Sequence, residues 1–321
     1  MSRCRTGFLW MLAASMCASR AFGVCPIIAE VAPSKNIYFA DEPIAVNVMF
    51  RNPSIAAASV SIDYPFLGGY GEPGFTFSAS DALAPTALAK IERLGGISAT
   101  RELPPSSSLL VVIYLQNFLV GFTSGTYDIP YQLHFACIPN QGPRESGTGS
   151  GNLAIRIVPG NSPSWDSDIR SYEARVENNR GFDQLSGLWA LLATPSPKVI
   201  PVLGRIWKLG YTTEVMSALV KFTDDAAARN LISEALRGRE PTTVAAALRG
   251  LAIQQYELPV PEVVRLMQSG DETIQLATLS YVQTTRNRQY LPVIRPYAAG
   301  ASGRLGSAAS RVVSLMDNAQ K

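Results

Sequence analysis

DETIQLATLSYV, residues 271–282, sets Ile274, Ala277, Thr278, Tyr281 and Val282 at the spacing of one helix face, behind an acidic pair suited to a helix start. Alone, the stretch fits one helix of any globular protein, so the fold is decided by whether it recurs. Val215 opens VMSALVKF, Val244 opens VAAALRGL, Leu305 opens LGSAASRVV, and Leu185, in LSGLWALL, falls ahead of them. Successive openers, with Ile274 in its place, are 30, 29, 30 and 31 residues apart. Three positions after each stand Leu188, Ala218, Ala247, Ala277 and Ala308, mostly small enough to admit a neighbouring helix. Seven positions after stand Leu192, Phe222, Leu251, Tyr281 and Val312, which supply a buried face. A pattern kept at one period is the mark of a repeat array.

Second helices fall between the openers, with apolar cores Val202-Leu203-Ile206, Leu231-Ile232-Leu236, Val263-Val264-Met267 and Val293-Ile294-Tyr297. Each unit is then a pair of short antiparallel helices. Period and pairing resemble the short HEAT-like repeats over about residues 184–318. The resemblance implies an α-solenoid, a curved stack whose second helices line the concave side and which serves as a binding surface without chemistry of its own. Acidic pairs in this half, Asp224 with Asp225 and Asp271 with Glu272, stand at helix starts, where carboxylates accept from free N–H groups and complement the dipole. Trp189 and Trp207 fall on apolar faces and read as core.

The first half has a different period. Ile44, Val46, Val48 and Phe50 alternate with Ala45, Asn47 and Met49; Val60, Ile62 and Tyr64 alternate with Ser59, Ser61 and Asp63. The same rhythm returns in Tyr127, Ile129, Tyr131, Leu133 and Phe135, and in Leu153, Ile155 and Ile157. Period two with one polar face predicts half-buried strands. With 27–32, 73–78 and the two-faced apolar run 109–115, about seven short strands are expected over 24–160, a count that favours an antiparallel sandwich. Within it SGTYDI, 124–129, resembles the immunoglobulin-type tyrosine corner, with Tyr127 tying its hydroxyl back to the chain. Ile129 stands where that family has Cys, and no Trp occurs in 24–160, so the resemblance is to the broad immunoglobulin-like class and covers architecture only. Pro130 fits a central strand awkwardly because it removes a ladder donor.

Two insertions interrupt the strands. YPFLGGYGEPGFTF, 64–77, gathers Tyr64, Phe66, Tyr70 and Phe75 around glycines and prolines, as a loop offering aromatic faces to a sugar or protein, or as rings filling core. SDALAPTALAKIERLGG, 80–96, reads as a short helix closed by Gly95 and Gly96.

The N-terminal segment pairs Arg3 and Arg5 with an apolar run from Gly7 to Met16 and small residues at Ala21 and Gly23, the pattern of a cleaved secretory signal. That run is shorter than the roughly 20 residues that cross a bilayer. The expected organisation is a signal peptide over 1–23, an immunoglobulin-like β-sandwich over 24–160 and a HEAT-like helical domain over 161–321, exported to the periplasm or secreted. Without 1–23 the formal charge of +3 falls to zero, net −3 over 24–160 and net +3 over 161–321, which weighs against a nucleic-acid partner. Of the four cysteines, Cys25 and Cys137 remain, and an even pair in an exported chain points to a disulfide. Two cysteines and the single His134 do not make a zinc site.

No nucleophile stands with a base, and the chain lacks a phosphate-binding glycine loop, an HExxH zinc signature and a dinucleotide fingerprint. The expectation is a non-enzymatic interaction protein, without cofactor, whose solenoid binds a protein or peptide; the alternative is an envelope or carbohydrate-binding module using the aromatic loop. Arg265 and Arg295 each follow an aligned second-helix opener, Val263 and Val293, by two positions, so they project alike from adjacent units. With Arg229, Arg288 and Lys208 they form a candidate basic strip for an acidic partner, and Tyr290 stands beside it as a candidate aromatic anchor.

Overall fold

The computed structural model describes residues 25–64, 74–78, 83–85, 97–139, 143–180, 182–300 and 303–318. Among them, eleven strands precede ten α-helices. β1 (Ile28–Pro33), β3 (Ala45–Arg51) and β8 (Ser108–Tyr114) form an antiparallel three-stranded sheet in the order β1-β3-β8. A larger sheet runs β2-β11-β10-β4-β7, from β2 (Ile37–Phe39), β11 (Glu145–Val158), β10 (Gly125–Pro139), β4 (Ala58–Tyr64) and β7 (Ile97–Leu103), with β5 (Phe75–Phe77) also paired to β10. β2 joins β11 in parallel; the other pairings are antiparallel. The alternation seen in the sequence is what buries one face of each sheet. Val46, Val48 and Phe50 of β3 share a core with Leu133 and Phe135 of β10 and Leu153, Ile155 and Ile157 of β11, and Phe50 meets Phe135 edge-on with centroids 5.1 Å apart.

The disulfide joins Cys25, just before β1, to Cys137 in β10, and so ties the small sheet to the large one. Tyr127 makes the expected corner: its hydroxyl donates to Thr123 O at 2.8 Å and accepts from Thr123 N at 2.8 Å. Pro130 is tolerated because its carbonyl accepts from Ser78 N, just beyond β5. Its missing donor therefore faces the side where β5 ends and spares the β11 ladder. The expected helix at 80–96 is not what the described part shows: Ala84–Pro85 (β6) pair with Leu119–Val120 (β9), and residues 80–82 and 86–96, like residues 1–23 where a signal peptide is expected, lie outside the described residues.

The helices are α1 (Trp165–Asn178), α2 (Phe182–Ala193), α3 (Ile200–Trp207), α4 (Thr212–Leu219), α5 (Ala226–Leu236), α6 (Pro241–Ile253), α7 (Val260–Met267), α8 (Glu272–Thr285), α9 (Leu291–Gly300) and α10 (Gly303–Asn318). The five openers fall one each in α2, α4, α6, α8 and α10, and the second-helix cores in α3, α5, α7 and α9. Asp225 caps α5 by accepting from Ala227 N at 2.7 Å, and Asp271 caps α8 by accepting from Thr273 N at 2.8 Å and Ile274 N at 3.1 Å. The residues seven past each opener are all buried. Three past, Leu188, Ala218 and Ala247 are buried, whereas Ala277 and Ala308 are only partly so. The tightest approach uses a different residue: a Cβ on Gly250 in α6 would lie 2.3 Å from Thr213 O and 2.9 Å from Met216 Cβ in α4.

The β region and the helices are packed together. α2 lies on the outer face of the three-stranded sheet, with Ala190 and Ala193 buried beside Tyr114, and Trp189 touching the cores on both sides. Tyr114 meets Tyr172 of α1 edge-on at 6.4 Å, and Ser162, in the connector, donates its N–H to Asp41 Oδ1 at 2.9 Å.

Candidate functional site

The second helices carry the basic strip, and the structure gives most of its cations work inside the chain. Arg265, on α7, grips Glu262 with two guanidinium nitrogens at 2.6 and 3.1 Å and donates to Leu236 O, the last residue of α5, at 2.9 Å. Arg288 donates to Met316 O, in the last turn of α10, at 3.2 Å. Lys221, which the sequence reading left aside, donates to Leu192 O near the end of α2 at 2.8 Å. These donors lie 29, 28 and 29 residues from their carbonyls, close to the 29–31-residue spacing of the openers. The last carbonyls of a helix have no partner within it and form the negative end of its dipole, so a cation from another helix satisfies both.

The remaining members of the strip differ. Arg229 holds Thr223 O at 2.7 Å and Asp224 O at 2.9 Å, in the turn before its own helix. Arg295 pairs with Asp317 of α10 at 3.2 Å, with 60% of its side chain exposed, and an ion pair that open contributes little. Lys208 is exposed at the end of α3.

Tyr290 departs from the expected anchor. It is fully buried, and its hydroxyl donates to Leu258 O at 2.7 Å. Tyr281, from α8, accepts from Leu258 N at 2.8 Å and donates to Tyr256 O. The two rings stitch the segment between α6 and α7, and burial raises the pKa of both hydroxyls. The apolar spacing of Tyr290, Val293, Ile294 and Tyr297 is the signal that places Tyr290 inside.

The aromatic loop is likewise not an open platform in its described part. Phe75 is buried, stacked on Phe77 with centroids 5.4 Å apart and against Phe118. Tyr64 ends β4, while Phe66 and Tyr70 lie outside the described residues. Asn52, which sequence reasoning passed over, is buried: its side-chain nitrogen donates to Ala56 O at 2.8 Å and Leu103 O at 2.9 Å, joining two loops. Among the described residues no three His, Cys, Asp or Glu side chains are grouped to hold a metal, and no helix is long and apolar enough to cross a membrane.

Lys221 provides a pH test. The residue is exposed overall, yet its ammonium turns inward to Leu192 O, and desolvation lowers its pKa from 10.5 to about 8. Over that window the unfolded chain holds the proton that the folded chain has released, so stability rises as pH goes from about 8 to 10.5. Lys221→Met is expected to remove this rise and to leave stability at neutral pH within about 1 kcal/mol of wild type, the lost hydrogen bond offsetting the relieved desolvation. Urea midpoints of both proteins across that range check it; parallel pH profiles would show that the ammonium is solvated.

No protein-family profile and no curated protein matches the chain. Among solved structures it is similar to Salmonella alpha-2-macroglobulin reacted with methylamine, at 10% identity and a TM-score of 0.22. A point mutant of the same protein gives 11% identity and 0.23. Each alignment covers 92% of this chain and 26% of the other, so the chain spans about a quarter of those proteins' length. A likeness at such scores assigns neither fold nor activity.

Proposed function

We propose that this is an exported, non-enzymatic interaction protein, built as an immunoglobulin-like sandwich over 24–160 followed by HEAT-like repeats over 161–321, whose helical region binds a protein or peptide. The observation that carries the reading is the helical array: openers alternate with second helices at a 29–31-residue step, and cations bridge one unit to another at that same step. Such a stack presents a long side-chain surface without a catalytic centre. The Tyr127 corner supports the immunoglobulin-like assignment, and the Cys25–Cys137 bond supports an oxidising compartment. Arg265 keeps 44% of its side chain exposed and Arg295 keeps 60%, so both still offer charge to an acidic partner after their internal contacts.

An Arg265→Gln, Arg295→Glu variant, with a helical circular dichroism spectrum like that of wild type, is expected to lose the proteins that co-purify with the wild-type chain from the envelope fraction of its own cells. Equal recovery of the same proteins would remove the second helices from the binding surface.

A further inference from the structure

Among the described residues, the outer face of the three-stranded sheet is covered over only half its length. From one end to the other, β3 and β8 place on it Ala45 with Tyr114, Asn47 with Val112, Met49 with Leu110, and Arg51 with Ser108, while β1 adds Ile28, Glu30 and Ala32. α2 covers the Ala45–Tyr114 end, where Ala190 and Ala193 are buried and Ala45 and Val112 pack on them. The other end is bare. Leu110 is 51% exposed and Ile28 52% exposed, and Glu30 and Arg51 form an ion pair at 3.3 Å with both side chains more than half exposed. The loop after β3 carries Ile55 at 90% exposure, and Asn52 holds that loop through Ser54 N and Ala56 O. The face is therefore a step, a helix layer on one half and open sheet on the other.

We propose that this stepped face is the interface of a two-fold homodimer, in which the bare halves of two three-stranded sheets pack face to face and each copy's α2 abuts the end of the other copy's sheet. The step height fits. A packed sheet lies about 10 Å above its neighbour, and the axis of a packed helix lies at a comparable distance, so a second sheet on the bare half is level with α2. The charges fit as well. A two-fold interface brings one patch against itself, so a charge within the patch needs its opposite there as well. Glu30 and Arg51 supply one of each, so each can meet the opposite charge of the other copy. The surface is also continuous with the packing of α2 in the same chain, because Val112, which packs beside α2, leads along β8 to the exposed Leu110, with the half-buried Met49 opposite it. An amphipathic helix of another protein lying beside α2 would use the same apolar residues but has no need of the paired charges.

Sedimentation equilibrium of the full, disulfide-bonded chain, from low micromolar to several hundred micromolar, tests the proposal. A monomer–dimer equilibrium is expected. Leu110→Glu should raise its dissociation constant about tenfold or more while leaving the circular dichroism melt in place. Glu30→Arg should weaken the dimer, and the swapped pair Glu30→Arg, Arg51→Glu should restore it, with the circular dichroism melts of both variants unchanged, since the two residues also pair within one chain. A monomer at every concentration, or a dimer indifferent to Leu110→Glu and to the charge swap, would overturn the assignment and leave the bare face to another partner.

Discussion

Loss of the Cys25–Cys137 bond, in a Cys25→Ala, Cys137→Ala variant, is expected to lower the stability of the β region by about 2–5 kcal/mol. The bond closes a loop of 112 residues in sequence, which holds almost every strand, so its absence frees a long segment of the unfolded chain. The cost is not offset by relief of a misplaced backbone, since the Cα atoms lie 5.6 Å apart, inside the range that disulfides span without distortion. Cys137 is fully buried in β10, opposite Val60 of β4, so alanine there also leaves a small void. Urea unfolding followed by far-ultraviolet circular dichroism checks it, with and without reductant for wild type. A change below about 1 kcal/mol would mean that the unfolded chain keeps the two cysteines close without the bond.

Gly250→Leu is expected to destabilise the helical region by about 3 kcal/mol or more, at the upper end of what overpacking costs. Helix propensity works the other way, favouring any ordinary residue over glycine by up to about 1 kcal/mol. Geometry decides the sign. The new Cβ would lie 2.3 Å from Thr213 O and 3.0 Å from Ser217 N, which are backbone atoms of α4 and cannot swing aside. Separating α4 from α6 would also stretch the hydrogen bonds from Thr213 Oγ1 to Ala246 O, 3.2 Å, and from Gln254 Nε2 to Ser217 Oγ, 2.8 Å. Gly204→Ala in α3 is the control: its Cβ meets nothing closer than Leu231 at 3.4 Å, so stability should hold or rise by up to about 1 kcal/mol. Thermal melts read by tryptophan fluorescence report this region, because Trp165, Trp189 and Trp207 all lie in it. Equal melting of the two variants would show that α4 and α6 are not in backbone contact.

The physical reach of each sequence signal explains what it revealed. Period two over 44–50 and the helical spacing at 274–282 arise from one element's own side chains, and those elements stand where the sequence puts them. β11 is longer than its alternation because GTGSG, 147–151, has hardly any side chains to alternate. Its glycines are covered instead by the opposite strand: Gly147 faces Phe135 and Gly151 faces Tyr131, and a Cβ on Gly147 would lie 2.2 Å from the Phe135 ring. Ala84–Pro85 pairs with residues 119–120, a contact no local pattern announces. The strip of cations shows the same limit. Charge and helical phase were enough to align Arg265 with Arg295, but not to show that an orphan carbonyl of α5 waits 29 residues away from Arg265. Tyr290 was legible in its apolar spacing and was obscured by its hydroxyl, whose partner, Leu258 O, lies 32 residues away.

The binding reading rests on the helical region being a nearest-neighbour array with its first helices as the close-packed spine. Amide hydrogen exchange of the native chain measures this directly, since protection follows how deeply each helix is held by its neighbours. α4 has Thr212 and every residue from Val215 to Leu219 buried, and it is in backbone contact with α6. Amides of α4, α6 and α8 are expected to exchange more slowly than those of α5, α7 and α9, in an alternation along the chain. Uniform protection across the helices, or slower exchange in α5, α7 and α9, would contradict it.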